Sequence, residues 1–129
     1  MSTTPNLLIS HVAPSQNNKE TTLNASLDDL DMALCGHTSL AMADADYTVV
    51  QGTALENMLL IFTGSLSTDR NVILPAHAKP YIVINNTSGS PSQFDLTFKV
   101  GTGAAVAVIS DGNPHLIFSD GVNSIYKVS

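Results

Sequence analysis

The stretch Phe94-Asp95-Leu96-Thr97-Phe98-Lys99 decides the fold class, because its side chains alternate between apolar and polar. A period of two places the apolar side chains on one face of a strand and the polar ones on the other. The turn-forming residues Gly101-Thr102-Gly103 follow and end the pattern. This part of the chain is therefore predicted to be β-structure.

Short apolar or β-branched runs lie on both sides of this stretch, and all but the last are closed by Gly, Pro, Asn or Asp. They span residues 47–51, 56–62, 70–74, 80–85, 104–109, 116–118 and 125–128. About eight short strands, with turn signals about every ten residues, are typical of an antiparallel sandwich or barrel. We predict that residues 37–129 form one antiparallel, jelly-roll-like β-sandwich. No exact internal repeat is visible.

One amphipathic helix is predicted over residues 22–36. Its leucines recur at i, i+4, i+7 and i+11 and form one stripe: Leu23, Leu27, Leu30 and Leu34. Gly36 supplies the stop signal at the C-terminal end. The stripe is too short to be stable alone, so it must pack on something. Two alternatives stay open: copies of the helix around a threefold axis, or a lid on the chain's own sandwich.

Residues 1–21 are predicted to be an extended N-terminal arm. They contain one apolar patch, Leu7-Leu8-Ile9, and then a loop-forming composition from residue 14 to residue 20. An extended arm can lie along a neighbouring protein and bond to it through its main chain and polar side chains. We expect the patch to fill a pocket on that partner, with Gln16, Lys19 and Glu20 adding side-chain bonds.

Composition excludes several function classes. The chain has 129 residues, enough for one domain, with 5 Lys and Arg against 11 Asp and Glu and a net charge of −6. Nucleic acid is not an expected partner, because 5 basic residues are too few to cover a phosphate backbone. No apolar run approaches the ~18 residues of a membrane-spanning helix, so membrane insertion is not expected. Charged residues make up only 12 % of the chain, which favours contact with protein over part of the surface.

Candidate chemical groups are scattered. His11, His37, His77 and His115 show no metal-ligand spacing, and the single Cys35 cannot form a disulfide within the chain. Asp44-Ala45-Asp46 lacks the glycine and distal glutamate of a calcium loop, so a turn is the favoured interpretation. No serine lies in a Gly-x-Ser-x-Gly elbow. We therefore expect no enzyme activity, no metal and no cofactor.

Two stretches resemble proteins of tailed bacteriophage virions. The first is Ser15-Gln16-Asn17-Asn18-Lys19-Glu20-Thr21-Thr22-Leu23-Asn24, which leads into Leu27-Asp28-Asp29-Leu30-Asp31. It is similar to the Ser-Gln-x-x-Lys-Glu-x-Thr-x-Asn arm and the following helix that open many phage tail-fibre and tail-spike proteins. Ser26 departs from this pattern, where the arm usually has Ala. The second stretch runs from Arg70-Asn71-Val72-Ile73-Leu74-Pro75 to Phe118-Ser119-Asp120-Gly121 and resembles the small β-domains of the same group.

The resemblance implies a non-enzymatic structural protein of the virion, assembled in the host cytoplasm. It would be a trimeric short tail or collar fibre, spike or fibre-adaptor component, attached through its N-terminal arm. Its partners would be its own copies and other phage proteins of the tail, collar, portal or capsid. The implied attachment residues are Leu7, Leu8, Ile9, Gln16, Lys19, Glu20 and Asn24. The implied trimer or packing stripe is Leu23, Leu27, Leu30 and Leu34.

Two alternatives accompany this hypothesis. The first is a capsid decoration (cement) protein that stabilises the head, a role that suits the small size. The second is a host-attachment module that binds a glycan of the host surface. Such a module needs an aromatic-lined groove. The chain has no Trp, and its tyrosines are Tyr47, Tyr81 and Tyr126.

Overall fold

The computed structural model describes residues 2–128, which form a mainly β fold with two sheets and two helices. The helices are α1 (Lys19–Cys35) and α2 (Gln51–Leu55). The strands are β1 (His37–Ala41), β2 (Tyr47–Thr48), β3 (Leu59–Ser65), β4 (Arg70–Ile73), β5 (Lys79–Ser88), β6 (Leu96–Lys99), β7 (Ala107–Ile109), β8 (His115–Ser119) and β9 (Ile125–Lys127). Nine strands are found in the described residues, where about eight were predicted.

The first six strands form three successive coils. Each coil contributes one strand to the five-stranded sheet and the next strand to the four-stranded sheet. The five-stranded sheet has the order β1-β3-β5-β8-β9, and the four-stranded sheet has the order β2-β4-β6-β7. Neighbours among β1, β3 and β5 are parallel, as are neighbours among β2, β4 and β6. The chain then reverses, and β7, β8 and β9 add antiparallel pairs.

The prediction of antiparallel pairing is therefore wrong for the first six strands, and a jelly-roll arrangement is not confirmed. Consecutive strands lie in different sheets, so each strand returns to its own sheet only after a full coil. A strand that returns after such a crossover runs parallel to its neighbour. Among the first six strands the turn signals mark the corners of the coils rather than hairpins, whereas Gly101-Thr102-Gly103 and Asp120-Gly121 connect antiparallel neighbours. A period of two is the same in both kinds of pairing, so the sequence pattern does not distinguish them.

The hydrophobic core lies between the two sheets. Phe62 of β3 and Phe98 of β6 meet edge to face across it, with ring centroids 5.3 Å apart. Tyr47 adds a second edge contact with Phe62 at 6.2 Å. The other large side chains that are fully buried include Tyr81, Leu60, Leu96, Ile109, Ile117, Ile125, Val72, Val83 and Val100. The alternation of residues 94–99 thus aims Leu96 and Phe98 into this core, as predicted.

Asn85 is a buried polar residue within β5, and its side chain bonds to the segment before β6 and to the end of β7. Its side-chain amide N–H donates to the carbonyl oxygens of Phe94 (3.0 Å) and Ile109 (3.2 Å). Its side-chain oxygen accepts from the Thr87 hydroxyl at 2.6 Å. Gln93 donates to the Asn85 backbone carbonyl at 2.6 Å. A buried amide is tolerated when both ends are bonded, so Asn85 ties β5 to both neighbouring segments.

The N-terminal part differs from the predicted extended arm. Thr3 and Ser10 form an antiparallel bridge, so residues 2–11 fold back on themselves, and α1 begins at Lys19 instead of residue 22. The helix ends at Cys35, and Gly36 allows a close approach there. A Cβ atom on Gly36 would lie 2.2 Å from the Glu56 carbonyl oxygen. Gly36 therefore lets the chain pass from α1 directly into β1.

Candidate assembly site

The leucine stripe of α1 faces away from the two sheets. Leu23, Leu27, Leu30 and Leu34 are 52 %, 56 %, 41 % and 62 % exposed. The inward side of the helix carries small or polar residues at the same spacing: Thr22, Ser26, Asp29 and Ala33. Of the helix residues only Ala33 is buried, and within residues 2–128 the helix makes no extended contact with any strand. In this structure the stripe therefore does not pack on the protein's own sheets.

The helix is held through its polar side by the segment that precedes it. The Ser26 hydroxyl lies 2.6 Å from the Ser10 carbonyl oxygen and 2.9 Å from the Thr22 carbonyl oxygen. The Gln16 side-chain amide donates to the Thr22 hydroxyl. The Gln16 side-chain oxygen accepts from the backbone N–H of Ala13 at 2.7 Å. Ser26, which departs from the phage arm pattern, thus has a structural role.

The apolar patch of the arm lies against its own chain. Leu7, Leu8 and Ile9 are each half-buried. Leu7 and Ile9, with Leu27 and Leu30 of the helix, line an apolar groove between the arm and α1. Leu8 lines a depression beside Asp29 and α2. The patch and part of the stripe therefore form one continuous apolar surface.

The other residues predicted to attach the protein are separated from this patch. Lys19, Glu20 and Asn24 are exposed on the first turns of α1. Their side chains make no hydrogen bond or ion pair within residues 2–128. Gln16 instead organises the turn before the helix. The structure thus brings Leu7, Leu8, Ile9 and Gln16 against the helix and leaves the three charged and polar residues open.

One contact that the sequence did not indicate joins the arm to residues 37–128, which hold both sheets and are called the β-body below. The Nδ1 atom of His77 lies 3.3 Å from the Pro5 carbonyl oxygen. Its Nε2 atom lies 3.1 Å from the side-chain oxygen of Gln51, which begins α2. Because a carbonyl oxygen can only accept, Nδ1 is the donor to Pro5. His77 is thus a docking contact of the arm.

Lys79, the first residue of β5, is a buried lysine. The Lys79 ammonium donates to the carbonyl oxygens of Asn57 (2.8 Å) and Pro80 (3.2 Å) and sits 4.3 Å from the centre of the Tyr81 ring. Burial lowers the pKa of Lys79 to about 8. Burial also raises the pKa of the Tyr81 hydroxyl, which has no hydrogen-bond partner within the described residues. The sequence pattern predicted only a strand over residues 80–85 and did not indicate that the amine of Lys79 is buried.

The acidic pair Asp44 and Asp46 belongs to a corner between coils. Hydrogen bonds from Ser67 and then the ion pair with Arg70 (2.8 Å) lower the pKa of Asp44 to about 2. Bonds from the backbone and side chain of Asn71 lower the pKa of Asp46. Both carboxylates are occupied by protein donors. Among residues 2–128, no group of three or more His, Cys, Asp and Glu side chains is placed to hold a metal ion.

The surface offers few aromatic side chains for a glycan. Tyr81 is fully buried, and Tyr47 is half-buried against Phe62. Tyr126 is exposed beside Phe118, its partner across β8 and β9. Neither Tyr126 nor Phe118 lines the groove between the arm and α1 or the depression beside α2.

Comparison of the chain with protein-family models, with curated proteins and with solved structures found no match. The helices within residues 2–128 are too short or too polar to cross a bilayer.

Proposed function

We propose that this chain is a non-enzymatic structural protein of a phage virion, namely a trimeric short tail or collar fibre, spike or fibre-adaptor component. The N-terminal segment and α1 attach it to the particle and to its own copies, and the β-body is the exposed part. Two supports are independent of each other. One is the resemblance of residues 15–31 to phage arm segments, and the other is the outward direction of the leucine stripe.

The orientation of α1 is the single observation that carries the proposal. A surface helix of a globular protein normally turns its apolar side toward the core. In α1 the small and polar residues Thr22, Ser26 and Asp29 face inward, while four leucines face outward. Burying a leucine fully contributes about 1.5–3 kcal/mol, and these are about half-exposed, so roughly 1 kcal/mol per leucine remains to be gained. Another molecule must supply the covering surface.

Further copies of the same helix fit this requirement. The leucine spacing alternates four and three residues, which is the heptad seam of associating helices. A closed ring of three stripes buries all of them around one axis and leaves no open end for filament growth. Lys19, Glu20 and Asn24 lie near the start of the helix, where they remain available to the particle.

The first experiment measures the oligomeric state of the full chain and of Leu27→Asp by sedimentation velocity. We expect a trimer for the parent and a monomer for Leu27→Asp, because the charge would be buried without a partner in the seam. Asn24→Asp is the matched control, since it adds the same charge to the exposed part of the same helix and should remain a trimer. A parent that is monomeric at tens of micromolar would refute the trimer.

The direction of the helices can be tested with the stripe itself. In a Cys35→Ser background, Leu23→Cys and Leu34→Cys are prepared separately and oxidised alone or mixed. Parallel helices place equivalent positions together, so each variant should cross-link to itself. Cross-linking only in the mixture would indicate antiparallel helices and contradict a threefold assembly.

The role within the virion is tested by copy number. Quantitative mass spectrometry of purified particles should find tens of copies for a fibre or adaptor. Hundreds of copies would favour the decoration protein instead. Deletion of residues 1–20 should abolish particle binding while circular dichroism still shows the β-signal. Retained binding would move attachment to the β-body.

A further inference from the structure

The outer faces of the two sheets differ in polarity. Strand register places a contiguous aliphatic and aromatic set on the outside of the five-stranded sheet: Leu59, Ile61, Ile82, Ile84, Leu116, Phe118 and Tyr126. Leu59, Ile82 and Leu116 are direct neighbours across three strands. Phe118 and Tyr126 are 40 % and 55 % exposed. We call this set the apolar sheet face.

The outer face of the four-stranded sheet can be compared with the apolar sheet face of the same protein. The same register rule places Thr48, Asn71, Thr97 and Lys99 there, together with Ile73 and Val108. This face mixes polar, charged and aliphatic side chains, as a solvent-facing sheet does. On the apolar sheet face, by contrast, the outward strand positions carry no Asp, Glu, Lys or Arg. Its polar positions lie on β1 and at the ends of β3 and β5: His37, Ser39, Thr63, Ser65, Asn86 and Ser88.

The size and composition of the apolar sheet face indicate that it is covered in the assembled protein. Five strands about 4.8 Å apart and about five residues long make a sheet face of roughly 400 Å², and β3, β5, β8 and β9 carry the apolar set on it. Phe118 and Tyr126 are exposed, and the other five members of the set are half-buried. Apolar patches of about this size at the surface of a soluble protein generally mark an interaction surface.

Second copies of the same chain are the occupant that fits. The chain carries a net charge of −6, so copies can approach closely only through surfaces without charge, and this face is one. It also follows the leucine stripe directly along the chain, because Gly36 alone separates the end of α1 from β1 at the edge of this sheet. Copies joined through α1 therefore bring their β1 edges together.

The areas of the leucine stripe and of the apolar sheet face also favour an interface between copies that uses both surfaces. The outward side of a 17-residue helix offers roughly 250 Å², given a rise of 1.5 Å per residue and a width of about 10 Å. A stable interface buries about 800 Å² on each partner. Neither the stripe nor the sheet face reaches that value alone, and the two together come close to it.

We propose that the apolar sheet face packs against other copies of the chain, so that the β-bodies and not only the helices form the oligomer interface. This inference rests on the proposed self-association. The four-stranded sheet then faces solvent.

The test uses the full chain with Ile82→Lys at the centre of the apolar sheet face. Thr97→Lys is the matched control, because it occupies an outward position on the middle of the other sheet. Sedimentation equilibrium should show a dissociation constant raised at least 100-fold for Ile82→Lys and changed less than threefold for Thr97→Lys. An unchanged dissociation constant for a folded Ile82→Lys overturns the sheet interface.

A second measurement avoids charged substitutions. In the Cys35→Ser background, Ser39→Cys and Thr48→Cys place one thiol on the exposed edge strand of each sheet. Maleimide labelling of the native oligomer should be at least tenfold slower at position 39 than at position 48, and the two rates should converge in urea. Equal rates in the native oligomer contradict the proposal.

These outcomes separate the two hypotheses. If Leu27→Asp dissociates the oligomer while Ile82→Lys and the labelling rates show no effect, the helix stripe alone joins the copies and only the sheet interface fails. If Ile82→Lys dissociates it and Leu27→Asp does not, the stripe hypothesis fails and the sheet face stands. A parent that is monomeric overturns both.

Discussion

The carboxylate of Asp46 accepts a hydrogen bond from the backbone N–H of Asn71, 2.9 Å away, and joins the corners of two successive coils. The next corner repeats this arrangement, since Asp69 accepts from the N–H of Asp95 at 2.9 Å. A corner leaves backbone donors without a strand partner, and an acidic side chain one coil earlier satisfies them. The corners therefore determine the stacking of the coils as much as the strands do.

Acid should weaken this corner through Asp44. Its pKa is lowered from 3.8 to about 2, so its bonds to Ser67 and Arg70 stabilise the fold above pH 3.8 and are lost as the pH falls through about 2. We expect the melting temperature to drop over this interval. The drop should be smaller in Asp44→Asn, measured by thermal circular dichroism. Asp31→Asn, on the exposed side of α1, should behave like the parent, and an equal drop in Asp44→Asn would disprove the assignment.

Lys79 should make the stability of the fold depend on pH in the alkaline range. Its pKa is about 8 in the folded protein against 10.5 for an ordinary lysine, so the unfolded chain binds more protons between these values. Stability should therefore rise as the pH increases from 8 to 10.5. Lys79→Met should remove this rise, as followed by urea unfolding at several pH values. Lys19→Met, at an exposed position, should keep it. A parent whose stability is flat over this range would contradict a buried amine.

Asn85 should be required to hold β5 to the segment before β6 and to the end of β7. Asn85→Ala leaves the Phe94 and Ile109 carbonyl oxygens without their donor and opens a cavity, so we expect a loss of about 2–4 kcal/mol in the free energy of unfolding. Asn86→Ala, at the neighbouring exposed position, should change it by less than about 0.5 kcal/mol. Chemical denaturation of both variants checks the difference. Equal stabilities would mean that the amide network does not matter.

Gly64 should tolerate no side chain where β3 passes close to the first coil. It has φ +123°, and a Cβ atom there would lie 2.3 Å from the Met42 carbonyl oxygen. Gly64→Ala should therefore destabilise the protein by about 2–4 kcal/mol. Gly52→Ala in α2 is the control, because a Cβ there meets nothing within 4 Å. It should be neutral or up to about 1 kcal/mol more stable. Calorimetry that finds the two variants alike would refute the close approach.

The coils correspond to a loose repeat in the sequence, although no exact repeat is present. Asp46 and Asn71 are 25 positions apart, and Asp69 and Asp95 are 26 apart. An acidic residue comes just before each of the strands β2, β4 and β6: Asp46, Asp69 and Asp95. Only the spacing and the chemical type recur, since the buried residues directly after these strands are Val49, Leu74 and Val100. A search for similar residue types at a loose spacing would have indicated the coils.

Local pattern alone determined that the chain is mainly β, that α1 exists with one leucine stripe, and that Leu96 and Phe98 lie in the core. These features depend on contacts within one strand or helix, where periodicity is sufficient. Only the tertiary structure decided that the first six strands are parallel, that Lys79 is buried and that the leucine stripe faces outward. The parallel pairing and the burial of Lys79 depend on residues twenty or more positions away, and the orientation of the stripe depends on bonds between α1 and the segment before it. Periodicity identifies the apolar side of an element but does not specify what that side meets.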